Sequence, residues 1–294
     1  MIRKLWIFLS IIILIIYTFS LNACFADPLM PQKGAKQKTS KHLTIDYSNS
    51  TEGYVMAKAK SSKKKLKLLV THNDVELQYD LNSNGDYEVF PLQYGNGEYI
   101  FSLFEQNKGQ NYIMLDSITI KADMPDPNRC FLYPNQYINY TAETPAVVFA
   151  QELCRELINP EDKVMKIYHY IAIDDSQTEI WIDNNGKQQI LLQERISFTQ
   201  SGIRSKLPEI DRVFETNKGA CKDVSGLMVA MLRCVGVPAK YVVGKANGSE
   251  HAWIIVIVND QEYEIDPQDR INDPELADLC IHRELYGYHV ERWY

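Results

Sequence analysis

The sequence predicts an α+β protein in which an N-terminal antiparallel β-sandwich precedes a domain of helices packed on strands. Three observations predict this fold: short strands of alternating polarity before residue 123, a helix-period apolar run after residue 220, and a β-hairpin pattern that ends near residue 266. The chain has 294 residues, of which 45% are hydrophobic and 23% are charged. This composition is typical of a protein with a substantial core and excludes a chain that is disordered throughout.

Residues 42–123 are predicted to form an immunoglobulin-like β-sandwich. Apolar and polar side chains alternate in several short runs, as expected of strands that bury one face. Turn signals separate the runs at Asn84-Gly85 and at Gly95-Asn96-Gly97. The alternating apolar positions are Leu66, Leu68, Val70, Val75, Leu77, Tyr79, Leu81, Tyr99, Phe101, Leu103, Ile118 and Ile120. Short strands at regular spacing favour a sandwich.

A second domain is predicted to span residues 124–294. Two prolines within residues 124–127 interrupt regular structure and indicate the domain boundary. Thr144-Pro145 and Asn159-Pro160 each combine an N-cap residue with a proline at the first helical position. Each pair therefore predicts the start of a helix.

The apolar run that follows Cys221 predicts a buried helix. Its apolar positions recur at helical spacing and are Val224, Leu227, Met228, Met231, Leu232 and Val235. Gly236 and Pro238 predict the end of this helix. Cys221 then lies at the helix N-terminus, where the positive end of the helix dipole favours the nucleophilic thiolate. Asp223 in the same turn opposes the thiolate slightly, so we expect the cysteine to need a base.

A base and a carboxylate follow in a predicted β-hairpin. His251 precedes the apolar run 254–258, Asn259-Asp260 predicts a tight turn, and residues 262–266 return as the second strand. In such a hairpin His251 and Asp266 lie at the same end. Together with Cys221 they form a thiol–imidazole–carboxylate arrangement. The carboxylate would fix the tautomer of the imidazole, and the imidazolium would hold the thiolate.

Four motifs occur in this region in a fixed order. They are Gly219-Ala220-Cys221-Lys222-Asp223, the segment 231–240, His251-Ala252-Trp253 and Asp266-Pro267. Over about residues 130–270 the chain resembles the transglutaminase-like cysteine superfamily. The resemblance implies a papain/transglutaminase-like core in which Cys221 is the nucleophile, His251 is the base and Asp266 orients the histidine. One departure is Gln268, because the family usually has threonine after Asp-Pro.

The resemblance implies an enzyme that attacks an amide or peptide carbonyl and forms a thioester. Water would resolve the thioester in a cysteine protease or amidase, and an amine would resolve it in a transglutaminase-like acyltransferase. The expected substrate is a protein, a peptide or a cell-wall peptide. The superfamily also includes binding modules, so the alternative function is a non-catalytic binding or scaffold protein of the cell envelope.

Residues 1–26 have the features of an export signal. Arg3 and Lys4 precede an apolar run over residues 5–19, and small residues follow before Ala26. The segment could be cleaved after Ala26, lipid-modified at Cys24 as in a bacterial lipoprotein, or retained as an N-terminal membrane anchor. Each alternative predicts an extracytoplasmic protein that is secreted or attached to the cell envelope. Residues 27–41 are polar and lysine-rich and predict a linker.

The formal net charge of the chain is −7, and removal of residues 1–26 makes it −9 because that segment contributes two cations and no acid. We expect no nucleic-acid partner for so acidic a protein. With Cys24 removed or lipidated and Cys221 free, four of the six cysteines remain, and they could form two disulfides or none. Their spacing matches no metal-binding motif, so we expect neither a metal nor another cofactor.

Overall fold

A computed structural model of the chain describes residues 27–173, 179–182, 188–191, 195–199, 207–268 and 285–294. The predicted export signal, with Cys24, lies outside the described residues. The description below therefore concerns the folded part that follows it.

Two four-stranded antiparallel sheets form the N-terminal part of the structure. Their strands are β1 (Gln37–Thr39), β2 (Leu43–Asp46), β3 (Tyr54–Ala59), β4 (Leu66–His72), β5 (Val75–Leu81), β6 (Glu88–Pro91), β7 (Gly97–Gln106) and β8 (Tyr112–Ala122). The strand order is β1-β2-β3-β6 in one sheet and β5-β4-β7-β8 in the other. Short 3-10 helices at Ser50–Glu52 and Arg129–Leu132 flank strands of this part.

The predicted alternation of apolar side chains builds the core between these sheets. In β4 the side chains of Leu66, Leu68 and Val70 are buried, and the residues between them are more exposed. Leu43 and Ile45 of β2 point into the same hydrophobic cluster from the other sheet. Two antiparallel sheets that share one apolar core confirm the predicted β-sandwich.

Part of residues 27–41, which were predicted to be a linker, belongs to the sandwich. Gln37–Thr39 is an edge strand that pairs with β2. Further upstream, the Gly34 N–H donates to Asp46 Oδ2 at 2.8 Å and the Gln32 N–H donates to the Tyr54 hydroxyl at 3.0 Å. An edge strand needs only backbone hydrogen bonds, so its polar side chains stay exposed and its composition resembles that of a linker.

Among the described residues after 123, four helices and eight further strands follow. The helices are α1 (Pro145–Leu153), α2 (Pro160–Ala172), α3 (Ile210–Thr216) and α4 (Cys221–Cys234). The strands are β9 (Glu179–Ile182), β10 (Gln188–Leu191), β11 (Ser197–Phe198), β12 (Lys218–Gly219), β13 (Ala239–Ala246), β14 (Ser249–Val258), β15 (Gln261–Ile265) and β16 (Tyr288–Trp293). Asn159 caps α2 as predicted, because its side-chain oxygen accepts the Glu161 N–H at 3.0 Å.

One antiparallel sheet of order β15-β14-β13-β16 supports the region of Cys221. The hairpin of β14 and β15 turns at Asn259 and Asp260, whose φ angles are 53° and 61°. Left-handed φ at both turn positions is what the predicted tight turn requires. The strand β16 pairs with β13 at the opposite edge and was not predicted as a strand.

Helix α4 lies in the centre of the molecule and packs on β13 and β14. All its residues after Cys221 are buried. The helix ends as predicted, with Gly236 at φ 83° and the Val237 N–H donating to the Leu232 carbonyl at 3.0 Å. The hydrophobic cluster that contains α4 also contains the core of the sandwich, so the two predicted domains share one core.

Within the described ranges, no helix is both long and apolar enough to cross a membrane. Cys130, Cys154, Cys221 and Cys234 are free thiols in the structure.

Candidate active site

Cys221 is the first residue of α4 and its side chain is partly exposed. The preceding Ala220 is extended, with φ −81° and ψ 168°, and has no polar side-chain atom that could cap the helix. The backbone N–H groups of the first turn lack intrahelical acceptors in any α-helix. The thiol therefore lies beside the positive end of the dipole of a 14-residue helix.

Asp223 holds the backbone at the start of α4 in place through its carboxylate. Its carboxylate accepts the Ala220 N–H at 3.1 Å and the Glu209 N–H at 3.1 Å. It also pairs with Lys222 and, at 3.2 Å, with Arg212. Two cations thus balance the charge of Asp223, whose side chain is 3% exposed, so the opposition to a thiolate that the sequence suggested is countered locally.

His251 and Asp266 meet at one end of the β14–β15 hairpin, as predicted. Nε2 of His251 lies 2.6 Å from Asp266 Oδ2. Both side chains are largely buried, with 12% of the His251 side chain and 3% of the Asp266 side chain exposed. Because Asp266 engages Nε2, the other ring nitrogen, Nδ1, is left for the sulfur.

Cys221 is a hydrogen-bond partner of His251, so the structure brings all three predicted residues together. Burial of the imidazole lowers its pKa, but the hydrogen bonds to Asp266 and Cys221 and the negative charges of both outweigh burial. They raise the pKa of His251 from 6.5 to about 10. The arrangement therefore favours an imidazolium between a sulfur and a carboxylate at neutral pH.

Two further contacts hold the Asp266 carboxylate. The Tyr288 hydroxyl of β16 donates to Oδ2 at 2.6 Å, and the Gln268 N–H donates to Oδ1 at 2.9 Å. The second contact uses only the backbone of Gln268. The departure from the usual threonine at this position therefore leaves this hydrogen bond intact.

Trp253 lies under the imidazole, because residues two apart in a strand face the same side. Its side chain is fully buried, and its ring is nearly parallel to that of His251 at a centroid distance of 6.2 Å. Tyr288 meets the same indole edge-on at 5.1 Å. The aromatic rings of Trp253 and Tyr288 thus restrict the positions that His251 can take.

Ser225 joins α4 to β14 one helical turn after Cys221. Its hydroxyl donates to the carbonyl of Ala252 at 3.0 Å, and the residue is 1% exposed. Since Ala252 follows His251, this bond fixes the position of α4, which carries Cys221, along β14, which carries His251.

The sequence did not predict the roles of Ser225 and Tyr288. The position of Ser225, four residues after Cys221, indicates the same helix face, but nothing in the sequence indicates its acceptor. Tyr288 lies on β16, a strand that was not predicted. Its pairing with β13 is a long-range contact that no local pattern encodes.

No group of three or more histidine, cysteine or acidic side chains is arranged to hold a metal ion in the part of the chain that the structure describes. The site that Cys221, His251 and Asp266 form contains a thiol at a helix N-terminus, an imidazole and a buried carboxylate. An α+β fold that joins these groups is of the type found in thiol enzymes.

Residues 148–267 match the family model of the transglutaminase-like superfamily. The match contains Cys221, His251 and Asp266, and it confirms the resemblance that the sequence motifs indicated. The structure and this match together confirm the predicted fold class of an α+β protein with a transglutaminase-like core. None of the curated protein sequences compared with the chain is significantly similar to it.

Three solved structures illustrate the likeness. A proposed cysteine protease from Cytophaga hutchinsonii is 14% identical, with a TM-score of 0.40, and the match covers 88% of this chain and 83% of that protein. A proposed protease from Parabacteroides distasonis is 11% identical, with a TM-score of 0.32, over 76% of this chain and 62% of that protein. Red sea bream transglutaminase is 10% identical, with a TM-score of 0.28, over 73% of this chain and 47% of the enzyme.

Proposed function

We propose that the protein is a thiol enzyme in which Cys221 attacks the carbonyl carbon of an amide or peptide bond. One observation carries this proposal: Cys221 hydrogen-bonds His251, and Nε2 of the same imidazole lies 2.6 Å from Asp266. A thiol that serves only packing needs neither partner. The match to the transglutaminase-like superfamily supports the same chemistry.

In the proposed reaction, the Cys221 thiolate adds to the carbonyl carbon, and the imidazolium of His251 lies beside the sulfur. The oxygen of the tetrahedral intermediate becomes negative, and the Cys221 N–H at the helix terminus is suitably placed to donate to it. His251 then gives its Nδ1 proton to the leaving nitrogen as the carbon–nitrogen bond breaks. The products of this half-reaction are a thioester on Cys221 and a free amine.

The second half-reaction releases the acyl group. Neutral His251 accepts a proton from the incoming nucleophile, which attacks the thioester and regenerates the thiolate–imidazolium pair. Water gives hydrolysis, as in a protease or amidase, and an amine gives acyl transfer, as in a transglutaminase. Asp266 accepts the Nε2 proton in a hydrogen bond throughout, which keeps Nδ1 directed at the sulfur.

The proposed substrate is a protein or peptide. The match to the transglutaminase-like superfamily supports this class of substrate, because a thiol activated by an imidazole attacks amide carbonyls. A cell-wall peptide carries the same amide bonds and is a further candidate. The amide carbonyl is the group that the three side chains of this site are suited to attack.

Turnover by the full chain tests this function. The protein is incubated with an unfolded polypeptide and with peptidoglycan fragments, each with and without a fluorescent primary amine, and the products are analysed by mass spectrometry. We expect either cleavage or amine incorporation, abolished in Cys221→Ala and retained in Cys154→Ala, which removes a buried thiol outside the site. Identical product formation by wild type and Cys221→Ala would contradict the proposal.

The non-catalytic alternative makes the opposite prediction. A binding or scaffold protein would retain substrate binding and its cellular phenotype in Cys221→Ala, with no product from any variant.

We further propose that residues 1–26 export the protein and that it acts outside the cytoplasm. The mass of the mature N-terminus distinguishes cleavage after Ala26, lipidation of Cys24 and retention of the whole segment. Recovery of the whole folded protein from the cytoplasm would contradict export.

A further inference from the structure

The last strand of the chain supplies one side chain to the site. Tyr288 is the first residue of β16, and its hydroxyl donates to Asp266 Oδ2 at 2.6 Å. This oxygen is the one that also faces His251 Nε2 at 2.6 Å. The strand lies outside residues 148–267, which match the superfamily.

Three donors hold the carboxylate of Asp266 from three directions. Tyr288 and His251 share Oδ2, and the Gln268 N–H binds Oδ1. An ionised carboxylate only accepts hydrogen bonds, so the tyrosine hydroxyl must be the donor. With both oxygens engaged, the carboxylate cannot rotate without breaking a short hydrogen bond.

The ring of Tyr288 also packs against the groups that it positions. Its centroid lies 5.8 Å from that of His251 and 5.1 Å from that of Trp253, and both contacts are edge-on. The titratable groups that bear on the imidazole are Cys221 from α4, Asp266 after β15 and Tyr288 from β16.

Gly244 allows β16 to approach closely enough for this contact. A Cβ at position 244 would lie 2.1 Å from the His289 carbonyl oxygen and 2.8 Å from the Trp253 ring. Gly244 pairs with His251 on one side, and the register towards β16 shifts between Val243 and Gly244. The absence of a side chain here lets β16 lie against β13 beside the histidine.

We infer that Tyr288 is a positioning residue for the thiol chemistry: it holds Asp266 so that His251 stays aligned with Cys221. This inference rests on the proposed function. Tyr288 acts through Asp266 and contacts neither the sulfur nor the substrate carbonyl in the proposed reaction. Docking of β16 then completes a site whose three reacting groups come from α4, β14 and the end of β15.

The variant Tyr288→Phe tests the inference, because it keeps the ring and removes the hydroxyl. The rate at which iodoacetamide alkylates Cys221 is measured by peptide mass spectrometry between about pH 4 and pH 10. A less firmly held carboxylate stabilises the imidazolium less, and the imidazolium in turn stabilises the thiolate less. In a plot of alkylation rate against pH, we expect the rise on the acidic side to shift to higher pH by about one unit. Alkylation at about pH 5 is then about tenfold slower than in wild type.

Tyr263→Phe is the matched control. Tyr263 lies on β15, and its hydroxyl donates to Gln261 Oε1 at 2.6 Å. Its profile should coincide with that of wild type. A Tyr288→Phe profile that also coincides with wild type, with equal unfolding midpoints, would overturn the inference.

A second measurement does not require the phenylalanine variant to fold. With 3-fluorotyrosine at position 288, the fluorine resonance should move over the pH range in which the His251 imidazole titrates in a histidine-labelled sample. A fluorine shift that is constant over that range would overturn the inference.

The two hypotheses fail differently. If the wild-type protein turns over no substrate but Tyr288→Phe shifts the alkylation profile, the proposed function fails and the positioning role stands. If turnover occurs and is unchanged in Tyr288→Phe at every pH, the positioning role fails and the function stands.

Discussion

The charge of His251 is set by the two residues on either side of its ring. Burial opposes the charged form, and the hydrogen bonds and charges of Asp266 and Cys221 favour it more strongly, which raises the pKa of His251 to about 10. An imidazolium at neutral pH can stabilise a thiolate and can donate a proton to a leaving amine. A single shift in pKa therefore serves both steps of the first half-reaction.

The same shift predicts how stability depends on pH. Because the folded-state pKa of His251 is raised, its contribution to the free energy of unfolding is complete below about pH 6.5 and is lost as the pH rises through about 10. We expect the stability difference between wild type and His251→Gln, measured by urea unfolding, to fall over that window. The same comparison in the Asp266→Asn background, with and without His251→Gln, should show a smaller fall, because Asp266 is the stronger of the two partners of His251. A difference that grows with pH would contradict this view of the site.

At the scale of elements, the site depends on how α4 sits against β14. Cys221 lies on one element and His251 on the other, so a small slide between them separates the sulfur from the imidazole. The buried bond from Ser225 to the Ala252 carbonyl, at 3.0 Å, opposes such a slide.

Ser225→Ala should therefore affect both stability and the thiol. We expect a loss of about 1 kcal/mol in the free energy of unfolding and a slower alkylation of Cys221 at acidic pH. Ser102→Ala is the control, because Ser102 is also buried and its hydroxyl bonds to Ser117 in the sandwich. It should lower stability by a similar amount and leave alkylation unchanged. Equal alkylation rates in the two variants would show that Ser225 does not hold the register.

Elements with a strong local signal were predictable from the sequence. The apolar period and the Gly236 stop predicted α4, and Asn259-Asp260 predicted the hairpin that brings His251 and Asp266 together. The pairings of β16 with β13 and of β1 with β2 were not predictable, because the partner of an edge strand is chosen by tertiary packing. The contact of Tyr288 with Asp266 depends on that choice and so was missed as well.

At the scale of the whole molecule, Arg233 of α4 connects the helix to β13, to the segment after the Arg129–Leu132 helix and to the C-terminal residue. Its buried guanidinium donates to the carbonyl oxygens of Ala239 at 2.9 Å, Tyr133 at 2.8 Å and Tyr294 at 2.8 Å. Burial lowers the pKa of Arg233 to about 10, so the group stays charged at neutral pH. Tyr294 also stacks on Tyr137 at a centroid distance of 3.5 Å. The two carbonyl partners Tyr133 and Tyr294 in turn pack on Tyr54 and Tyr79 of the sandwich, and with the shared core these contacts explain why two predicted domains form one packed unit.

Removal of this guanidinium should destabilise the whole molecule. For Arg233→Met we expect a loss of about 3 kcal/mol in the free energy of unfolding, because buried carbonyl oxygens lose their donors. The control Arg155→Met removes an exposed ion pair with Glu152 and should cost less than about 1 kcal/mol. Urea unfolding followed by fluorescence measures both. An Arg233→Met protein as stable as the control would contradict the role assigned to Arg233.

The central claim is that His251 holds the sulfur of Cys221 as a thiolate. The most direct test is the rate of iodoacetamide alkylation at Cys221 at about pH 6 in wild type and in His251→Gln. We predict that the wild type reacts at least about tenfold faster at that pH and that the difference disappears near about pH 9, where an ordinary thiol also ionises. Equal rates at about pH 6 would contradict the claim.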